Sequence, residues 1–267
     1  MSAAKRLIVL LLALAGLAGC GRQPGEEPLF LVGREAAEGI GAQLYAIQIE
    51  EARKVGALDH DPAQVKLVAD IAERLIAQAV ALYPIGRHWR WELHVINSPA
   101  INAYCAPGGK IVVLSGLLQT AAMDPNRIAN VVGHEIAHAL LEHARANLSR
   151  DWLLMSGMWV VSKSLKMGAV RTQSAIEGLN TLLLPMSREH EREADVLGLE
   201  IMARAGFDPR AGILFWQDAL NRRQAAAAGE QRLEAFLSTH PTDAERLVNL
   251  RELAARWNPP AAGKAAP

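Results

Sequence analysis

"HEIAH", residues 134–138, sets two histidines four positions apart with a glutamate directly after the first. On a helix that spacing puts both rings on one face, about 6 Å apart along the axis. One tetrahedral zinc ion takes a nitrogen from each at about 2.0–2.1 Å. Glu135 is rotated about 100° from His134, so it stands beside such a metal without ligating it. From there it can take a proton from a water that the metal acidifies and pass it to a leaving amine. Val131, Val132, Ile136, Ala139 and Leu140 supply an apolar face around the motif, which fits a buried helix.

A zinc site of this kind needs a third protein ligand. Glu142 lies about 12 Å along the axis from His134, too far for one ion to bridge. His143 is nine residues from His134 and turns to the opposite face of a continuous helix. His143, His60, His88, His94 and His190 therefore read as ordinary structural or surface histidines.

"SREHEREAD", residues 187–195, offers Glu189, Glu191 and Glu193 at every second position. With Glu191 at 0° and steps of about 100°, Ala194, Leu197, Ile201 and Ala205 fall between about 240° and 320°. Glu191 and Asp195, at about 40°, border that apolar face. Glu189 and Glu193, at about 160° and 200°, point away and read as a solvated face beside Arg188 and Arg192. Helix phase thus leaves Glu191 and Asp195 as candidates.

These residues together resemble the zinc metalloendopeptidase family of HtpX and the CAAX prenyl proteases. The resemblance implies that Glu191 is the third zinc ligand, in a Ser-Arg-x-x-Glu-x-x-Ala-Asp stretch. It also implies that Asp195 orients a ligand histidine through the other ring nitrogen. Two further stretches match. "NAYCAPGGKIVVLSGL", residues 102–117, is similar to the family's Asn-Ala-Phe-x-x-Pro-Gly-Gly strand pair, with Tyr104 where Phe is usual. "STHPTDAER", residues 238–246, is similar to its His-Pro segment with a later Arg. By that likeness His240 and Arg246 approach the zinc and stabilise the oxyanion, a role worth roughly 2.7–4 kcal/mol per donor in other hydrolases. Alternatively, His240 occupies the open zinc position and holds the enzyme latent. The likeness runs from about Leu31 to Trp257 and is nearest to soluble periplasmic lipoprotein members. HtpX and the prenyl proteases carry several membrane spans that have no counterpart in this sequence.

An extended substrate can bind such a peptidase by adding a strand to an exposed sheet edge. The pair of short strands around Pro107 to Leu114 is the candidate edge. Asn102, Ala103, Tyr104, Pro107, Gly108 and Gly109 are the candidate substrate contacts.

The rest of the chain frames this core. Asp61-Pro62, Asp124-Pro125, Asp208-Pro209 and His240-Pro241 are helix starts, an Asp or His followed by Pro at the first helical position. The helix opened at Asp124 is predicted to run to about Asn147. Trp89, Trp91, Leu93 and Val95 alternate as one face of a half-buried strand. The fold class is α+β and mainly helical, a zincin-like domain with a small antiparallel sheet and an active-site helix.

Before it, "MSAAKRLIVLLLALAGLAGC" has a basic start, a short apolar run and small residues ahead of Cys20. That is a secretory signal, and "LAGC" resembles the bacterial lipoprotein box, implying cleavage before Cys20 and lipidation of its thiol. Gly21 then favours the outer membrane over the inner. The expected organisation is a signal peptide over 1–19, a lipidated tether and N-terminal helix over 20–60, a peptidase domain over 61–257 and a tail over 258–267. Residues 152–184 read as a helical hairpin or lid, or equally as core. Lys plus Arg and Asp plus Glu both number 28, a zero net charge that argues against nucleic-acid binding. With only Cys105 besides Cys20, no disulfide framework is available.

The expected function is zinc-dependent endoproteolysis of misfolded or misassembled envelope proteins, with one Zn2+ per chain, on the periplasmic face of the outer membrane. The rival is a chaperone-like lipoprotein working with outer-membrane assembly machinery, its protease latent. An intramembrane protease would need several spans, and an aminopeptidase would fail on N-terminally blocked peptides.

Overall fold

The computed structural model describes residues 30–152, 186–225 and 231–257. The expected signal segment, Cys20, the 258–267 tail and all but the first residue of the 152–184 stretch lie outside them. The described residues fall in two compact units. In the smaller, Ser149 Oγ accepts from the backbone N–H groups of Leu31 (3.1 Å) and Val32 (3.0 Å), and the Arg145 guanidinium lies 3.9 Å over the Phe30 ring.

The larger unit carries the site. Its helices are α1 (Arg34–Lys54, from Glu38 onward), α2 (Pro62–Leu82), α3 (Ser115–Thr120), α4 (Pro125–Leu140), α5 (Arg188–Arg204), α6 (Pro209–Ala225), α7 (Gln231–Thr239) and α8 (Ala244–Ala255). The Asp-Pro starts act as caps: Asp61 Oδ1 accepts from Ala63 N, and Asp124 Oδ1 from Asn126 N at 2.7 Å. Val68, Ile71, Ala72, Leu75 and Ala79 form the buried stripe of α2. Its partner α4 is buried all round from Ile128 to Leu140, because α2, α5, α6 and the sheet enclose it.

The sheet has three strands, β1 (Glu92–Ile96), β2 (Ala103–Ala106) and β3 (Lys110–Leu114), in the order β1-β3-β2. It is mixed, not antiparallel as the sequence suggested: β1 runs parallel to β3, Glu92 beside Lys110, and β2 antiparallel to β3, Ala103 beside Val113. Residues 97–102 carry the chain past the β3 position, so β2 returns on the far side. The tight turn into β3 then sets β3 parallel to β1. Alternating burial reports which face is covered, not strand direction, so the pattern could not distinguish the two arrangements.

The mixed order also changes the candidate edge. β3 is central and paired on both sides, leaving β2 as the edge strand beside α4. β1 is covered by residues 57–59, where Asn97 N donates to Ala57 O and Asp59 N to Val95 O, both at 2.8 Å. On the outer face Tyr45, Ile49 and Ala52 of α1 cover Ile96 and Val112.

Two helices approach closely where the site forms. A Cβ on Gly198 of α5 would stand 2.9 Å from His134 Cα, and one on Gly133 would stand 3.2 Å from the Gly198 carbonyl oxygen. Paired glycines thus let α4 and α5 come almost to backbone contact at the first histidine of the motif.

Candidate metal centre and active site

On α4, His134 and His138 turn their Nε2 atoms towards each other, 2.9 Å apart. From α5, Glu191 brings Oε2 to 3.4 Å from His134 Nε2 and Oε1 to 3.3 Å from His138 Nε2. Two ligands at about 2.0–2.1 Å from a tetrahedral zinc stand about 3.3 Å apart. The two histidine–carboxylate spacings, one to each Glu191 oxygen, match that figure and the Nε2–Nε2 spacing is shorter; both rings and the carboxylate are buried. His240 joins them: one donor atom from each of the four residues lies within 4.8 Å of the others.

Glu135, the next residue on α4, keeps out of the triangle. Its Oε1 is buried without a hydrogen-bond partner among the described residues, and His240 Nε2 lies 3.4 Å away. The His240 ring spans base and ligand, for its Nδ1 is 3.2 Å from Glu191 Oε1. His240 reaches this position from the turn after α7, where its backbone N–H bonds Phe236 O and its ring packs against Phe236.

Asp195 Oδ1 lies 3.0 Å from His134 Nδ1, in contact but off the axis of that N–H. Arg246 on α8 is turned to the carboxylates. Its Nε and Nη2 donate to Asp195 Oδ2 and Oδ1, both at 2.8 Å, and its Nη1 is 2.5 Å from Glu191 Oε2. Nη1 also donates to Pro241 O and Thr242 Oγ1. Through these contacts Arg246 braces the two carboxylates of the ligand helix. Trp216, which no sequence signal marked, packs against His134 and lies under the Arg246 guanidinium at 4.4 Å.

The charges are set by burial and by these neighbours. Burial alone would lower His134, but the Glu191 and Asp195 carboxylates outweigh it and push it up to about 9. Burial and the adjacent His134 hold His138 well below the usual histidine range. Burial raises Glu135, as a general base near neutrality requires. For Glu191 burial acts upward too, yet His240 and Arg246 hold it well below the ordinary carboxylate range. A metal at this triangle would displace the His134 proton.

Two expectations fail. His143 is buried, not turned away: its Nδ1 lies 2.7 Å from His138 Nδ1. An outward His143 required a helix continuous to about Asn147, but α4 stops at Leu140. Leu141 and Glu142 form a turn, Glu142 with a positive φ of 57°, so the helical phase of α4 does not carry through to His143. Glu193 is not simply solvated, because its Oε2 lies 3.0 Å from His143 Nε2. His190 is also buried, its ring stacked on His143 at 4.2 Å.

The candidate substrate residues divide. Asn102, Ala103 and Tyr104 lie at the start of the edge strand β2; the Asn102 carbonyl accepts from Leu114 N and the Tyr104 hydroxyl donates to Gln48 of α1. Pro107, Gly108 and Gly109 form the turn instead, packed on Gly41, Glu38 and Trp91. Gly108 and Gly109 have φ of 87° and 79°, and a Cβ on Gly109 would meet Trp91 at 2.8 Å. They make the turn into β3.

The family model described as Peptidase family M48 matches residues 62–254. The chain belongs to peptidase family M48. Among curated M48 relatives, the mitochondrial metalloendopeptidase OMA1 of Saccharomyces cerevisiae is 36% identical over 181 residues, 64% of this chain and 48% of that protein. Human OMA1 is 30% identical over 243 residues, 86% of this chain and 44% of its own length. The beta-barrel assembly-enhancing protease of Yersinia pestis is 25% identical over 219 residues, 79% of this chain and 43% of its own. The chain thus spans less than half the length of these three relatives. No helix among the described residues is long and apolar enough to cross a membrane.

Proposed function

We propose that this M48 chain is a zinc-dependent metalloendopeptidase, with His134, His138 and Glu191 holding one Zn2+ and Glu135 as the general base. The observation that carries it is the buried cluster of two Nε2 atoms and the Glu191 carboxylate, beside the buried Glu135 carboxylate, whose Oε1 has no hydrogen-bond partner among the described residues. When bound there, zinc supplies Lewis acidity, polarising the scissile carbonyl and acidifying the attacking water. Glu135 takes the proton from that water and delivers it to the departing amine. Asp195 steadies His134, Arg246 steadies Asp195 and Glu191, and the outer edge of β2, which follows Asn102 and begins with Ala103 and Tyr104, offers backbone groups to an extended peptide.

The substrates we assign are misfolded or misassembled envelope proteins, met by a lipoprotein anchored through Cys20 to the periplasmic face of the outer membrane. Support comes from the "LAGC" box and from the likeness to a protease named for β-barrel assembly. In that reading residues 1–19 are the signal, 20–60 the tether with its helix, 61–257 the peptidase domain and 258–267 the tail. The described helices also fit a branch of the family without the multiple spans of HtpX and the prenyl proteases.

Cleavage of casein and of an N-terminally blocked peptide tests the chemistry. Wild type cuts both, and Glu135→Gln lowers the rate by about 10²–10⁴. Casein left intact by wild type under zinc saturation contradicts the reading. A second reading, a latent protease serving outer-membrane assembly in a chaperone-like way, draws on His240, whose ring fills the space between Glu135 and Glu191. Under latency His240→Ala raises cleavage; under the oxyanion role it lowers cleavage by about 10²–10³.

A further inference from the structure

Glu193 projects to the side of α5 away from Glu191, and its carboxylate still connects to the metal triangle through two rings. Its Oε2 lies 3.0 Å from His143 Nε2, His143 Nδ1 lies 2.7 Å from His138 Nδ1, and His138 Nε2 faces His134 and Glu191. The His143 ring is 2% exposed and held in plane by the parallel His190 ring, 10° from it.

The order of donors along this chain follows from what each atom can do. An ionised carboxylate only accepts, so His143 Nε2 carries the hydrogen. A neutral imidazole then has a bare lone pair on its other nitrogen. His143 Nδ1 therefore accepts, and His138 Nδ1–H donates to it. That leaves His138 Nε2 as a lone pair aimed into the triangle, the form a metal requires. Without an acceptor at position 193, His143 is free to carry its hydrogen on Nδ1. It would then donate to His138 Nδ1 and drive the His138 hydrogen onto Nε2, where it blocks ligation.

We propose that Glu193 and His143 are positioning residues, a relay that fixes the tautomer and ring plane of His138 for metal binding. The inference rests on the reading of His138 as a ligand. Each acid of "EREAD" then has its own role. Glu191 ligates, Asp195 backs His134 directly, and Glu193 backs His138 through His143.

Zinc affinity of the purified chain, measured by chelator competition, tests this without recourse to catalysis. His143→Phe keeps the ring and its stack on His190 but removes both nitrogens, and Glu193→Leu removes the acceptor at similar size. Each weakens zinc by about 10–100-fold, the usual effect of losing a partner behind a ligand. Glu193→Gln, which retains an acceptor oxygen, stays within about threefold of wild type. The double variant binds no more weakly than His143→Phe alone, because Glu193 acts only through His143. The Glu193 side chain is 32% exposed, so Glu193→Leu carries the test even if His143→Phe does not fold.

Zinc affinity within about twofold of wild type in Glu193→Leu overturns the relay. So do losses that multiply in the double variant, or a lower thermal midpoint of the metal-free protein with unchanged zinc affinity. A wild-type chain that binds no zinc overturns the metalloprotease reading as well; zinc bound equally by wild type and variants overturns the relay alone.

Discussion

Arg246 meets Asp195 side-on, Nε to Oδ2 and Nη2 to Oδ1, both at 2.8 Å and both buried. The bidentate fit uses the planar fork of a guanidinium, which a lysine ammonium cannot reproduce. Removing the cation would strand two buried carboxylates, Asp195 and Glu191. Arg246→Ala is therefore expected to destabilise the metal-free protein by about 3–5 kcal/mol, with Arg246→Lys recovering only a minor part. Urea unfolding in the presence of a chelator measures both.

The same pair sets an acid limit. Burial raises the Asp195 carboxyl, but Arg246 more than offsets it and holds it below the ordinary aspartate value. A carboxyl depressed on folding contributes stability above its unfolded pKa of about 3.9 and loses it as pH falls through the folded pKa. The stability gap between wild type and Asp195→Asn, both metal-free, is thus expected to be level between about pH 5 and 6 and to shrink below about pH 4; it shrinks again as pH rises towards 9, where His134 loses the proton that Asp195 helps it hold. Unfolding at a series of pH values checks it; a gap that widens in acid contradicts it.

Gly198 is a further point of leverage. Its absent side chain admits the His134 backbone, and an added Cβ would sit 2.9 Å from His134 Cα and 3.0 Å from His134 N. Backbone on both sides has little room to yield. Gly198→Ala is expected to cost about 1–3 kcal/mol, as overpacking does, and to weaken zinc binding by spreading α4 from α5. Thermal unfolding and metal titration of this variant read the two effects separately.

Cys105 is buried in β2, and burial pushes its thiol far up from the ordinary cysteine value. In a Cys20→Ser background, where it is the sole thiol, iodoacetamide at pH 8 is expected to modify it only as fast as the protein unfolds. Rapid alkylation of the folded protein would show that β2 opens.

Much of the site was legible because it is written at helical spacing. His134, Glu135 and His138 sit on α4 as their 100° steps require, and the apolar stripe of α5 put Glu191 and Asp195 at its buried edge. The Asp-Pro pairs marked where α2 and α4 begin. What escaped depends on where a helix stops and on long-range pairing. Nothing in "ALLEHAR" announces a break, having neither Gly nor Pro, so helical spacing runs on past Leu140 and puts His143 on the wrong face. With His143 on that face, Glu193 has no visible partner in the sequence. Trp216 reaches the site by tertiary packing alone. The direction of β1 relative to β3 lay in the path of residues 97–102, which periodicity does not encode.

Zinc stoichiometry across the acids of "SREHEREAD" tests the central claim most directly. The purified chain is dialysed against trace zinc and its metal content measured, beside Glu191→Ala and Glu189→Ala. About one zinc per chain in wild type and in Glu189→Ala, with none retained by Glu191→Ala, is the predicted result. Zinc retained at wild-type level by Glu191→Ala, or none bound by wild type, would contradict the assignment of His134, His138 and Glu191 as the metal site.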